Sequence, residues 1–328
     1  MDKIEIPTRE EAAITIAAAE ELLGRQVTDD VIDWVGIFEK AQARLNLSGS
    51  GQRSGTLLLR DWYPLARTLW LDSHVELAGD YRAKHHLGSS CGFTCGEGFE
   101  GDFVLAWKKP KPNSNHSNFG AGCRNLHVQT SAGLGGVSFR GAQQSAGIDN
   151  LVVRGFGEQG TGLEIGGDTY SIRDVFLDAA IGGGGSFTRL GATGLKTSGR
   201  TQGIVIENLT VHNSATGIRL GDAVEMSIQG LETELTELPV LINYNAMGVT
   251  IRQGQFRHTA NIMDIEGARW PNDFLVKIDG MMLDHMRGRV ALPGAVWETP
   301  YKIFDLAIQG TGRGISVIDL KARRQASA

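Results

Sequence analysis

The chain has 328 residues, 41% of them hydrophobic, which is length for one large domain or two ordinary ones and enough apolar material for a core, so a disordered chain is excluded. Its 44 glycines follow no three-residue period, which excludes collagen and favours a fold dense in turns. A formal net charge of -5 argues against a general nucleic-acid binder, because duplex binding rests on clustered Lys and Arg set against phosphates.

No apolar run approaches the ~20 residues of a membrane span. The N-terminus, MDKIEIPTREEAA, lacks the basic start and apolar core of an export signal. Neither membrane insertion nor signal-directed export is expected. Residues 8–24, TREEAAITIAAAEELLG, predict an Ala-rich helix stopped by Gly24. Residues 1–26 then form an N-terminal unit, used for oligomerisation or docking on a larger assembly, or simply packed on the rest. A second helix is expected within TDDVIDWVGIFEKAQARL at 28–45, with Asp30 as N-cap and Val31, Trp34, Val35, Phe38 and Leu45 in one apolar stripe. Strands follow in SGTLLLRDWYPLARTLWLDSHVELAGD at 54–80, then a polar loop over 84–122 that includes KKPKPNSNHSNFGAG. HHLGSSCGFTC holds His85, His86, Cys91 and Cys95, but its spacing fits no standard zinc pattern. With Cys123, the three cysteines are too few and odd in number for a disulfide framework, so reduced thiols and no metal or cofactor are expected.

From residue 125 the chain repeats. NLHV at 125, NLVV at 150, DVFL at 174, NLTV at 208, GLET at 230, GMML at 280 and DLAI at 305 are one motif, with a further unit near IRQGQF around 254. The steps lie between 22 and 26 residues except for one of 34. A period in that range means stacked supersecondary units. A second half recurs with it: GVSF at 136, GLEI at 162, GLKT at 194, GIRL at 217, a weaker PVLI at 239 and GISV at 314. Each unit therefore holds at least two short strands with period-2 alternation, separated by turns.

Stacking sorts the residues into columns. Cys123, Ile148, Ile172, Ile206, Ile228, Ile278 and Ile303 precede the Asn position, and Leu126, Leu151, Val175, Leu209, Leu231, Met281 and Leu306 follow it; both columns should point inward. Between them Arg124, Asp149, Arg173, Glu207, Gln229, Gln253 and Asp279 should face outward, the first four alternating in sign and pairing across the ~4.8 Å between coils. The Asn and Asp residues at 125, 150, 174 and 208 should satisfy turn backbone and stack along the axis. Ile251 and Phe256 imply an extra residue, read as a bulge. A last outward column, His127, Val152, Phe176, Thr210, Glu232, Met282 and Ala307, is partly apolar, which suggests contact with another subunit or a long loop.

These motifs resemble the right-handed, single-stranded parallel β-helix of the pectate-lyase-like superfamily, and within it bacteriophage tailspikes. The helix at 28–45, the Gly-Thr strand at 55 and SHVELAGD at 73–80 are similar to the family's opening pattern. The resemblance covers residues 27–320 and implies an all-β stack of about eight coils, its open end plugged by N-terminal helices, since a solenoid needs a cap over its exposed core. It implies a homotrimer on a virion, attached to tail or capsid proteins by the N-terminal helix. Residues 321–328 read as a basic tail, leaving no room for a further C-terminal domain.

Family enzymes that cleave polysaccharides use carboxylates on the outside of the helix. On the second strand the outward row is Ser138, Glu164, Lys196, Arg219 and Ser316; Glu164, Lys196 and Arg219 should be neighbours that bind sugar hydroxyls or acidic sugars, or satisfy one another as a salt-bridge ladder. Asp168 and Asp222 in the following turn should lie two coils, ~9 to 10 Å, apart. That sits at the edge of the ~6.5–9.5 Å of an inverting hydrolase, one carboxyl protonating the leaving oxygen and the other activating water, although Asp after Gly is also ordinary turn chemistry. The long coil carries AIGGGGSFTRLGATG, a loop placing Phe187 and Arg189 over this row, or a tolerated insertion. The expected function is that of a tailspike-like virion protein binding host surface polysaccharide, with Glu164, Asp168 and Asp222 as the acids if it is hydrolysed. The alternative is a structural decoration or tail-fitting protein without glycan activity.

Overall fold

The structure, a computed structural model, describes residues 2–8, 10–11, 32–46, 55–80, 91–107, 119–131, 133–180, 189–242, 246–257, 263–265, 274–284, 288–292, 295–299, 303–311 and 314–319. Two ladders of parallel strands climb one stack, and the protein is a parallel β-helix. The first ladder runs through Asp2–Glu5, Gly55–Leu59, Val75–Gly79, Gly122–Gln129, Gly147–Arg154, Ser171–Asp178, Val205–His212, Ser227–Glu234, Ala246–Arg257 and Phe274–Asp284. The second runs through Gly135–Ala142, Thr161–Asp168, Arg189–Gln202, Ser214–Leu220, Leu238–Ile242, Met263–Ile265 and Gly288–Leu292. The long strands Trp62–Leu71 and Gly92–Trp107 pair with each other, and the second joins both ladders: Gly92 pairs with His127, and Phe103 with Gly135.

The expected inward columns are in register. Cys123, Ile148, Ile172, Ile206, Ile228, Ile251 and Ile278 stand opposite one another in succession, all buried. Between this column and Leu126, Leu151, Val175, Leu209 and Leu231 lies the ladder residue, which takes a left-handed conformation in each coil: φ is 55° at Asn125, 56° at Asn150, 53° at Asp174, 57° at Asn208 and 73° at Gly230. Asn and Gly tolerate that region best among amino acids, which is why they recur at this bend. Asn150 Nδ2 donates to Asn125 Oδ1 at 2.9 Å, and Asn208 Nδ2 to Asp174 Oδ1 at 2.8 Å, so the side chains do stack along the axis.

The unit near 254 is in register with its predecessor, not bulged: Ile228 pairs with Ile251 and Thr233 with Phe256. Gln253, with φ 50°, is the left-handed residue here, and Arg252 takes the outward place opposite Gln229 that the sequence pattern gives to Gln253. Gly254 occupies the Leu column because a Cβ there would lie 2.0 Å from the Leu231 carbonyl oxygen; Phe256, fully buried, supplies bulk at the next inward position. In the outward charge row Arg173 reaches Asp149 at 3.9 Å, whereas Arg124 pairs with Glu76 at 3.1 Å rather than with Asp149. Thr233 stands where Val128, Val153, Leu177 and Val211 stand in other coils, and its buried hydroxyl has no hydrogen-bond partner. Thr233→Val should therefore raise unfolding free energy by about 1 kcal/mol, read as a higher urea midpoint at unchanged slope.

The partly apolar outward column is not an open surface. His127, Val152, Phe176 and Thr210 are buried within the protomer, with the Trp62 ring edge-on to His127 at 4.8 Å, Arg154 over Phe176 at 5.5 Å and the His212 ring 5.0 Å from Phe176. Only Met282 of that column is strongly exposed among those described, so the column offers no continuous apolar face to another subunit.

A helix, α1 at Trp34–Asn46, packs on the first strands and places Trp34, Val35, Phe38 and Leu45 in the core as its stripe predicts. Phe38 meets Tyr63 and Phe93 at 5.3 Å each. Its cap is Asp33, whose carboxylate accepts the Gly36 N–H at 3.0 Å. Burial would raise the Asp33 carboxyl, but the Gly36 N–H and the Arg67 guanidinium outweigh it and hold it below the usual range. Asp30 and Val31 lie outside the described residues. Upstream, the sequence pattern missed the strand Asp2–Glu5; Thr8 and Glu11 then form a reciprocal capping box, 2.7 and 3.1 Å, at the start of the expected first helix, whose remainder is outside the described residues.

The C-terminal units depart from the repeat. Ile303–Thr311 runs antiparallel to Phe274–Asp284 and forms a hairpin with Gly314–Asp319, and Ala295–Thr299 returns antiparallel on Gly288–Leu292. Ile303, Leu306 and Ala307 therefore do not continue the columns, and Ser316 pairs with Gln309 rather than extending the outward row. This arrangement pairs the last edge of the first ladder. The tail 321–328 lies outside the described residues.

Candidate functional site

The second ladder presents one continuous outward row. Trp70 stands opposite Ala106, Ala106 opposite Ser138, and then Glu164, Lys196, Arg219 and Leu241 follow, one per coil. Alternation produces it: Val137 and Phe139, Leu163 and Ile165, Ile218 and Leu220 are buried on either side of the outward residue. From Trp70 to Arg219 are five inter-strand steps, about 24 Å. The expected neighbourhood of Glu164, Lys196 and Arg219 is thus present, and the row extends further than the sequence pattern shows.

Glu164 is outward yet only 4% exposed. Its Oε2 accepts from Ser138 Oγ at 2.9 Å and Arg140 Nη1 at 3.4 Å, and its Oε1 faces Lys196 Nζ at 3.9 Å. Both oxygens are engaged, so Glu164 is a clasp that holds two cations on the surface.

Beside this clasp a cleft of about 500 Å³ opens, lined by Trp70, Glu100, Asp102, Arg140, Arg67 and Glu39 among others. Trp70 is 44% exposed, the most open large hydrophobic residue among those described. Its backbone is fixed by the buried Gln42 of α1, whose Nε2 donates to the Trp70 carbonyl at 3.1 Å while its Oε1 accepts the Asp72 N–H at 2.9 Å. Arg67 bridges Asp33 at 3.0 Å and Glu39 at 3.6 Å, so the helix also holds one wall. The sequence reading missed this cleft, although LWL at 69–71 has the same in-out-in alternation as GLEI and GIRL and signals an outward Trp.

At the other end Lys196, Arg219 and Asp222 line a smaller pocket of about 170 Å³, shaped by the Gly221 N–H bonded to Thr197 Oγ1 at 2.6 Å. Asp168 does not share that level. Asp168 pairs with Gln202, and Gln202 with Val224, whereas Asp222 precedes the Ala223 that pairs with Thr201. The two aspartates are offset by two residues as well as two coils, about 12 Å between their backbones. Asp168 instead accepts from the Thr169 hydroxyl at 2.6 Å. The displacement follows a register shift between Thr197 and Thr201 in the long strand. Phe187 lies outside the described residues; Arg189 opens the strand Arg189–Gln202, and its side chain is outside them as well.

Two other groupings collect groups that can bind metal. His212, Glu232 and Glu234 bring their ligand atoms within 4.8 Å of one another. The Arg257 guanidinium already lies 3.2 Å from Glu232 and 3.9 Å from Glu234, so this is an ion-pair network with its cation supplied by the chain. Burial pushes the Cys95 and Cys123 thiols up, away from the thiolate that binds metal, and His85 and His86 lie outside the described residues. No helix among the described residues is long and apolar enough to cross a membrane.

No protein-family model and no curated protein matches the chain. Among solved structures it is similar to PfbA, a surface adhesin of Streptococcus pneumoniae, at 7% identity and TM-score 0.42 over 88% of this chain and 95% of that one. It is also similar to iota-carrageenase from A. fortis, at 10% identity and TM-score 0.43 over 70% of this chain and 53% of that one. To the Dettilon tailspike protein the similarity is 9% identity and TM-score 0.33 over 95% of this chain and 77% of that one. The chain spans only about half the length of the carrageenases.

Proposed function

We propose that the protein binds polysaccharide along the outward row of the second ladder, between Trp70 and Arg219, as a tailspike-like virion protein directed at host surface glycan. The observation that carries the reading is the exposed Trp70 indole standing over a cleft lined by Glu100, Asp102 and Arg140. A flat aromatic face takes the apolar face of a sugar ring, while carboxylates accept from its hydroxyls and a guanidinium donates to them. Gln42 and the Glu164 clasp pre-set this geometry in the free protein, which lowers the ordering cost of binding.

The reading is binding first, with Asp168 and Asp222 as the acids of any hydrolysis that accompanies it. Affinity electrophoresis through gels containing bacterial capsular and lipopolysaccharide polymers tests it. Retardation by at least one polymer is expected, and Trp70→Ala should weaken that retention about tenfold, the cost of losing one well-packed aromatic anchor. Retention equal in wild type and variant sinks the reading. Measurement of new reducing ends completes the test: release that Asp168→Asn or Asp222→Asn abolishes adds hydrolysis by that pair to the binding, and no release leaves binding alone. The threefold assembly and the N-terminal attachment to a particle are part of the same proposal, and light scattering on the purified chain measures the first.

A further inference from the structure

We propose that the bound polysaccharide carries carboxylates, and that one of them seats between Lys196 and Arg219 while an uncharged ring of the same chain stacks on Trp70. This rests on the glycan reading above and names the chemistry of its ligand. The two ends of the row differ in kind. At the Trp70 end the cleft walls are acidic, with Glu100 and Asp102 exposed and Glu39 already paired to Arg67. That end repels an anionic group and favours hydroxyl donors. At the other end Lys196 and Arg219 are opposite each other on adjacent strands, one step of about 4.8 Å apart, and both line the 170 Å³ pocket.

A guanidinium and an ammonium side by side suit a carboxylate, the Arg as a planar fork and the Lys as a point charge. Glu164 pairs with Lys196 only at 3.9 Å, through one oxygen, while its other oxygen serves Ser138 and Arg140 at 2.9 and 3.4 Å. Asp222 lines the same pocket and opposes an incoming anion. That gives a sign reversal specific to this proposal: Asp222→Asn should tighten binding of an acidic polymer, and Lys196→Gln or Arg219→Gln should weaken it. The Trp70 and Arg219 positions, about 24 Å apart along the stack, fix how far the acidic residue sits from the stacked one.

The test uses the full chain on a printed panel of acidic capsular polysaccharides and neutral O-polysaccharides, each acidic polymer also present in carboxyl-reduced form. The expected result is retention of acidic polymers, weakened about tenfold by carboxyl reduction, since one charge-assisted contact is lost. Arg219→Gln should remove most of the difference between the acidic and reduced forms, and Asp222→Asn should increase it. The comparison of the two polymer forms on wild-type protein needs no variant to fold. Neutral polymers bound as tightly as acidic ones, with Trp70→Ala still releasing them, would overturn this inference and leave the glycan reading standing. No polymer retained would overturn both.

Discussion

Asn150→Val lowers the unfolding free energy by about 3 kcal/mol, whereas Asn150→Gly costs about 1 kcal/mol; these sums combine a left-handed backbone cost of roughly 1–2 kcal/mol with the loss of one buried hydrogen bond. Asn150 sits at φ 56°, is 4% exposed and donates to Asn125 at 2.9 Å. Valine, branched at Cβ, is among the residues least able to hold that φ, and it also removes the donor. Glycine removes the donor alone, because it holds a positive φ without steric penalty. Denaturant midpoints at constant slope measure both. Equal losses for the two variants would mean that the bend between the inward columns is not left-handed.

The second large effect is pH-dependent and comes from His127. Burial, reinforced by the nearby Arg154 charge, lowers its pKa from 6.5 to about 4. Both ring nitrogens are buried without a hydrogen-bond partner, beside Trp62. The folded state thus binds the proton more weakly than the unfolded state. Stability is unaffected by this group above about pH 6.5, falls as the unfolded chain takes up its proton between about 6.5 and 4, and levels off below. The loss over that window is about 3 kcal/mol. His127→Phe keeps an aromatic ring against Trp62 and removes the titration. The stability difference between His127→Phe and wild type should grow by that amount from pH 6.5 to 4, while the carboxylates common to both proteins cancel. A difference that stays constant with pH contradicts the burial of a neutral imidazole.

The repeat was readable because two signals coincide: a unit of about two dozen residues and an in-out alternation that keeps the same side chain at the same level. Ile148, Ile172, Ile206 and Ile228 fall in line on that basis, and so do Ser138, Glu164, Lys196 and Arg219. What the pattern lacks is direction. DLAI and GISV alternate identically whether their strands run with the stack or against it, and Ile303–Thr311 runs against it. Counting from a turn also fails where a strand slips, as between Thr197 and Thr201, which removed the match of Asp168 with Asp222. Nor does alternation say whether an outward residue reaches water. Val152 and Phe176 point out of the stack and are still covered, because Arg154 and His212 lie over the Phe176 ring. Trp70 was hidden for a different reason: it belongs to an early strand outside the recognisable repeat, and only the pairings through Ala106 connect it to the row.

Hydroxyl-radical footprinting of the protein, with and without a retained polysaccharide, tests the glycan surface most directly, because the most reactive side chains report on different faces. Trp70 at 44%, Met282 at 42% and Met247 at 38% exposure start from nearly equal accessibility, and only Trp70 lies on the second ladder's outward row. The account predicts strong protection of Trp70 on adding polysaccharide, with oxidation of Met247 and Met282 unchanged. Protection of the two methionines with Trp70 still oxidised at its free rate would place the glycan on the first ladder and contradict the account.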